Sequence, residues 1–202
     1  MDKTINKSKG QRSREKILET AIHLFAQKGF DQTSAQEIAD RCKISQTTIF
    51  YHFKNKKILF TEVLHYVVAQ NRSLFEGKIA AHQDAHSKLI NLLKSNIEWA
   101  YRYPEQAQIV LILFQFAVTD KEMAILATQT IHRGRSLLEE YLKLMLAEKT
   151  LSSPDLNIQS LSVTIQQYIH GAMIQILVSQ DKKILYKLFM QDIELFIKKT
   201  IQ

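Results

Sequence analysis

Two prolines and five glycines are all that punctuate this chain of 202 residues, and apolar side chains return at helical spacing nearly everywhere between them. A sequence so poor in turn formers can bury its apolar surface only by packing helix on helix, so the expected fold class is all-α. The length permits one large domain or a small one joined to a larger one. Apolar residues at 46% and charged residues at 23% are ordinary globular usage and exclude wholesale disorder. The longest near-continuous apolar run, 109–118, contains Gln115 and is too short to cross a bilayer. The first residues are lysine-rich with no apolar stretch behind them, so the chain reads as cytoplasmic, unexported and without a membrane partner. Cys42 is the single cysteine, which excludes an internal disulfide and a cysteine metal cluster.

Charge is concentrated at one end. Residues 1–60 hold 12 Lys and Arg against 6 Asp and Glu, whereas the remainder holds 15 against 14. Lys3, Lys7, Lys9, Arg12, Arg14 and Lys16 precede the first apolar-periodic segment and read as a mobile basic arm of the kind that holds a polyanion. In "SREKILETAIHLFAQKGF" Ile17, Leu18, Ala21, Leu24 and Phe25 recur at helical spacing, with Ser13 as the expected cap and Gly29 as the stop. Thr33 or Ser34 then caps "AQEIADRC", whose Ile38, Ala39 and Cys42 face inward. Ser45 caps a third short helix through about His52. Two short helices joined by a tight turn are the minimum helix-turn-helix unit.

With Ile44, Ile49 and Phe53 committed to a core, Gln46, Thr47, Thr48 and Tyr51 project outward and Phe50 sits at the edge. A solubilising face would carry Lys and Glu at helical pair spacing; short amides and hydroxyls instead suit base edges and phosphate oxygens in a major groove. Gln pairs bidentately with adenine, and a Thr methyl packs against that of thymine. Lys54, Lys56 and Lys57 open the next helix within reach of flanking phosphates, and Lys43 in the turn is a further clamp.

At "TSAQEIADRCKISQTTIFYHFKNKKILF" the chain resembles the TetR family of bacterial transcriptional regulators, over roughly residues 11–60. The resemblance implies a three-helix DNA-binding domain, a larger helical domain that binds a small ligand, and dimerisation through the last two helices. Carried over, the family's phosphate and base contacts fall on Ser34, Gln46, Thr47, Thr48, Tyr51, His52 and Lys56. The chain departs from the pattern at Lys43 and Thr47, where glycine is frequent, and at Phe50, where tyrosine is usual, so the operator sequence does not transfer.

The expected domains are therefore 1–56, the basic arm and helix-turn-helix, and 57–202, a helical ligand-binding and dimerisation domain. In the second, a connecting helix spans about 57–78 and further helices span about 84–103, 104–118, 120–148, 154–180 and from 182 onward. The segment "PEQAQIVLILFQFAV" is apolar on nearly all sides and is expected to be the most buried. The last two helices carry apolar residues on more than one face, and Ile165, Ile169, Met173, Ile176, Phe189, Ile193 and Phe196 are the expected homodimer contacts. Polar or large residues within apolar stripes, Asn71, Asn96, Trp99, Tyr103, Gln115, Thr130 and Tyr168, are the candidate lining of a pocket for a hydrophobic effector. His82, Asp84 and His86 make no more than a solvated helix edge without a third ligand, so no metal is expected. No nucleophile, phosphate loop or carboxylate pair stands beside the scattered histidines, so neither enzymatic activity nor a cofactor is expected. The functional expectation is a homodimeric repressor that binds a palindromic operator in double-stranded DNA and is released by a small molecule. The alternative is a nucleoid or adaptor protein that binds DNA without such a switch.

Overall fold

The computed structural model describes residues 8–80, 84–151 and 157–201; Lys3, Lys7, His82 and Pro154 lie outside them. Every regular element among the described residues is an α-helix. In chain order these are α1 (Lys9–Gln32), α2 (Ala35–Cys42), α3 (Gln46–His52), α4 (Lys56–Ala80), α5 (Ala85–Arg102), α6 (Pro104–Ala117), α7 (Lys121–Ala147), α8 (Ile158–Val178) and α9 (Lys182–Ile201). Their starts follow from side-chain oxygens placed to accept the first free N–H groups: Ser34 from Glu37, Ser45 from Thr48, Asp84 from Ser87, Asp120 from Met123 and Asn157 from Ser160. The Ser87 N–H also holds the Asp84 carboxyl below its usual pKa. One start differs from expectation. Ser8 and Gln11 form a reciprocal capping box, which places Ser13 inside α1 and makes helix of much of the expected arm. Gly29, at φ 78 and ψ 175, bends the chain out of the helix, and a side chain there would be strained.

The chain divides into two compact units, 1–69 and 70–202. The first unit is built on Leu18, Phe25, Ile38, Ile49, Phe53, Leu59 and Phe60, all essentially without exposure. Phe25, Phe30 and Phe60 meet as a ring cluster, with centroids 5.3 to 5.8 Å apart. The units part within α4, not at 56–57, because the first half of α4 supplies Leu59, Phe60, Val63, Leu64 and Val67 to that core.

In the second unit α5 is the hub, touching α6, α7, α8 and α9. The expectation that α6 is the most buried helix is corrected. Gln115 and Val118 at its end are exposed and Leu111, Ile112 and Phe114 are only half-buried. An all-round apolar pattern says that several faces want cover, not that every face is covered by the same chain. Glu148, beyond the end of α7, accepts the Ala85 N–H with both carboxylate oxygens and ties the two helices. Between α7 and α8, Gln166 donates to the Ile131 carbonyl at 2.8 Å and accepts from Arg135 at 3.4 Å. Gly134 permits this close crossing, since a Cβ there would stand 3.2 Å from the Gln166 amide nitrogen. The α9 helix is held to α5 by Tyr101 stacked on Tyr186 at 4.3 Å and by the Lys94–Glu194 ion pair at 2.6 Å.

Candidate nucleic-acid interface

The turn between α2 and α3 is made by Lys43, whose backbone lies in the left-handed region at φ 57 and ψ 47 while its N–H caps the Ala39 and Asp40 carbonyls. That geometry aims α3 away from α2 and anchors it by Ile49 and Phe53, each 1% exposed. Four other residues of α3 are exposed. Tyr51 is 85% exposed and Phe50 42%, and Gln46 and Thr47 are exposed beside them. No acidic residue occurs on this helix, and at its two ends stand Lys43 and Lys54, exposed and engaged by no side-chain hydrogen bond or ion pair among the described residues. The patch therefore offers an amide, hydroxyls and two aromatic faces between two free cations, which is the chemistry of groove edges and phosphates.

The other residues expected here have local duties. Ser34 spends an oxygen lone pair on capping, and its hydroxyl still carries a proton to donate. Thr48 is half-buried and its hydroxyl lies 2.9 Å from that of Ser45. His52 is half-buried between the Tyr51 and Phe53 rings. Lys56 is corrected. Its ammonium points into the protein, donating to the carbonyls of Phe30 at 2.9 Å, Thr33 at 3.0 Å and Asp31 at 3.3 Å, and it lies 4.4 Å from the centre of the Phe30 ring. Two cations of the expected arm likewise have partners within the protein: Arg14 pairs with Glu62 and lies over the Phe53 ring, and Lys16 donates to the Cys42 carbonyl.

The seven candidate pocket residues differ in exposure and in hydrogen-bond partner. Asn96 and Thr130 bond carbonyls of their own helices, Leu92 and Leu126. Trp99 is buried and donates to Gln106. Gln115 is exposed, and Tyr103 is 39% exposed at the junction of α5 and α6. Tyr168 stacks on Phe196 at 4.0 Å and donates to Asp192, and burial with that neighbouring carboxylate pushes its hydroxyl up to about 12. Asn71 alone keeps a buried carbonyl oxygen with no hydrogen-bond partner among the described residues.

The expected dimer contacts lie mostly inside the chain. Ile165, Ile169, Met173, Ile176 and Ile193 are buried within a single chain, and Phe189 and Phe196 are half-buried around the Tyr168 ring. The apolar side chains that α8 and α9 leave outside are Ile174, Val178, Ile184, Leu188 and Leu195, between 42% and 73% exposed. Only the second apolar face of each helix signalled them in the sequence.

A capped helix-turn-helix with a hydroxyl- and amide-bearing outer face, followed by a larger all-helical unit, defines a class of architecture, the helix-turn-helix protein with a C-terminal helical unit. A model of "bacterial regulatory proteins, tetR family" matches residues 17–63. The HTH-type transcriptional regulator AcrR of Shigella flexneri is 28% identical over 173 residues, covering 83% of this chain and 79% of AcrR. An uncharacterized HTH-type regulator of Bacillus subtilis, YuxN, is 50% identical over 50 residues, 25% of this chain and 17% of its own. The chain spans only 17% and 54% of the lengths of the first two curated relatives that it matches. Among solved structures, the Bacillus subtilis transcriptional regulator FadR, in complex with stearoyl-CoA, superposes with a TM-score of 0.80 over 91% of this chain and 97% of FadR; at 18% identity that likeness concerns the fold. Over residues 17–63 the chain is therefore similar to the TetR family of bacterial regulatory proteins.

Proposed function

We propose that this protein is a ligand-responsive transcriptional repressor that binds a two-fold operator as a homodimer. The observation that carries the reading is the outer face of α3, where Gln46, Thr47, Phe50 and Tyr51 are exposed together between the free cations Lys43 and Lys54. One short helix reads few base pairs, and a second copy related by two-fold symmetry doubles the site. The outward Ile174, Val178, Ile184, Leu188 and Leu195 are the surface on which that copy docks, since a self-complementary apolar face from two helices of each chain makes a four-helix interface.

The second unit is the sensor. The FadR complex with stearoyl-CoA supports ligand binding by this fold, and the unpartnered Asn71 oxygen is an acceptor for a polar group of such a ligand. Release follows if the ligand prefers the conformer that binds DNA poorly, because it shifts the equilibrium only by its unequal affinity for the two. The α4 helix belongs to both units and is the covalent route between them.

The test begins with fragments selected from the source genome by the purified protein. Gln46→Ala is expected to weaken binding to the selected duplex by about 1–3 kcal/mol while leaving random DNA nearly unaffected. Equal losses on both duplexes would remove the base-reading role.

A further inference from the structure

On the reading that the first unit binds DNA, we propose that Lys56 is a positioning residue that clasps the helix-turn-helix shut, and that the phosphate-neutralising charge of this region resides on Lys43 and Lys54. An ammonium has three N–H donors, and Lys56 finds three carbonyls, those of Phe30, Asp31 and Thr33, with the Phe30 ring beneath. These carbonyls lie just beyond the Gly29 bend of α1, so the cation is held by each hydrogen bond and by the ring beneath it. To reach a phosphate it would have to leave all three acceptors and the ring.

The place of the clasp in the chain gives it a consequence for DNA. Thr33 immediately precedes Ser34, the cap of α2, and Lys56 opens α4 shortly after α3 ends at His52. One ammonium thus joins the two ends of the segment that contains both helices of the motif. It sets how α3 is presented without touching what α3 reads. Lysine suits this place because its compact point charge fits three converging carbonyls, whereas the planar fork of arginine fits paired oxygens such as those of phosphate. Lys43 and Lys54 have no such internal partners among the described residues.

The experiment measures affinity against potassium chloride concentration for the genome-selected duplex and a random duplex, with wild type, K56Q, K56R and K54Q, each checked by thermal melting. A lost phosphate contact shallows the log–log salt slope by about 0.9 and weakens both duplexes alike. That is the expected behaviour of K54Q. K56Q and K56R are both expected to lose about tenfold or more on the selected duplex, with the salt slope and random-duplex affinity of wild type. Slope loss in K56Q, or full binding by K56R, overturns the proposal while leaving the DNA-binding reading intact; a wild type that prefers no duplex defeats that reading instead. If the variants do not fold, heteronuclear NMR of the wild-type Lys56 ammonium decides: its resonance should stay unmoved when the selected duplex is added, and a scalar coupling to DNA phosphorus would refute the clasp.

Discussion

A side chain other than glycine held in the left-handed region costs about 1–2 kcal/mol, and Lys43 bears that cost at the turn into α3. Glycine would relieve it and return part of the gain as backbone entropy. Lys43→Gly is therefore expected to stabilise the first unit by about 0.5–1 kcal/mol, read from the urea midpoint, while shallowing the salt slope of DNA binding by about 0.9. No gain in stability would mean that the lysine stem makes a packing contribution as large as the relief. The caps at Ser34 and Ser45 were legible because a cap is a local pattern of three or four residues. The clasp at Lys56 was not, because its acceptors lie 23 to 26 residues away and nothing in the spelling of "KNKK" distinguishes an inward ammonium from an outward one. The same blindness applies to Arg14 and Lys16, which count as charge in a tally but are spent on Glu62, Phe53 and Cys42.

Periodicity placed the helices well, since 3.6-residue repetition is a property of one segment alone. It could not say which of two apolar faces on α8 and α9 meets the same chain. The register chosen from sequence, Ile165, Ile169, Met173 and Ile176, is the inner one, buried against the hub and its neighbours. The two faces now make opposite predictions. A carboxylate at Ile169 has no partner and should cost on the order of 3–5 kcal/mol, unfolding the second unit. Leu188→Glu changes a side chain already 54% exposed, so it should split the dimer in sedimentation velocity with the helical circular dichroism retained. A dimer that survives Leu188→Glu would place the contact on another surface. The α7–α8 crossing is only half legible: a lone glycine within a helical stretch, Gly134, signals a close approach, but nothing in the sequence distinguishes the buried Gln166 that makes it necessary from a surface amide.

At the scale of the whole molecule, the expected boundary at 56–57 followed the end of the recognisable motif, whereas compactness follows the core, and α4 serves the first core as far as Val67 before the division at 69–70. The proposed two-fold symmetry of the homodimer predicts geometry on the DNA itself. Two recognition helices in one symmetric dimer read half-sites on one face of the duplex, spaced by about 34–36 Å or a multiple of it. Inserting about 5 base pairs, half a helical turn, at the centre of the genome-selected site carries one half-site to the opposite face without altering a single contacted base. The affinity should then fall toward that of random DNA, by about a thousandfold or more in fluorescence anisotropy. Inserting about 10 base pairs restores the face but lengthens the span by a full turn, and a dimer of fixed reach should still bind poorly. Binding that tolerates both insertions would mean that each head finds its half-site alone, and the two apolar faces of α8 and α9 would then have no part in operator recognition.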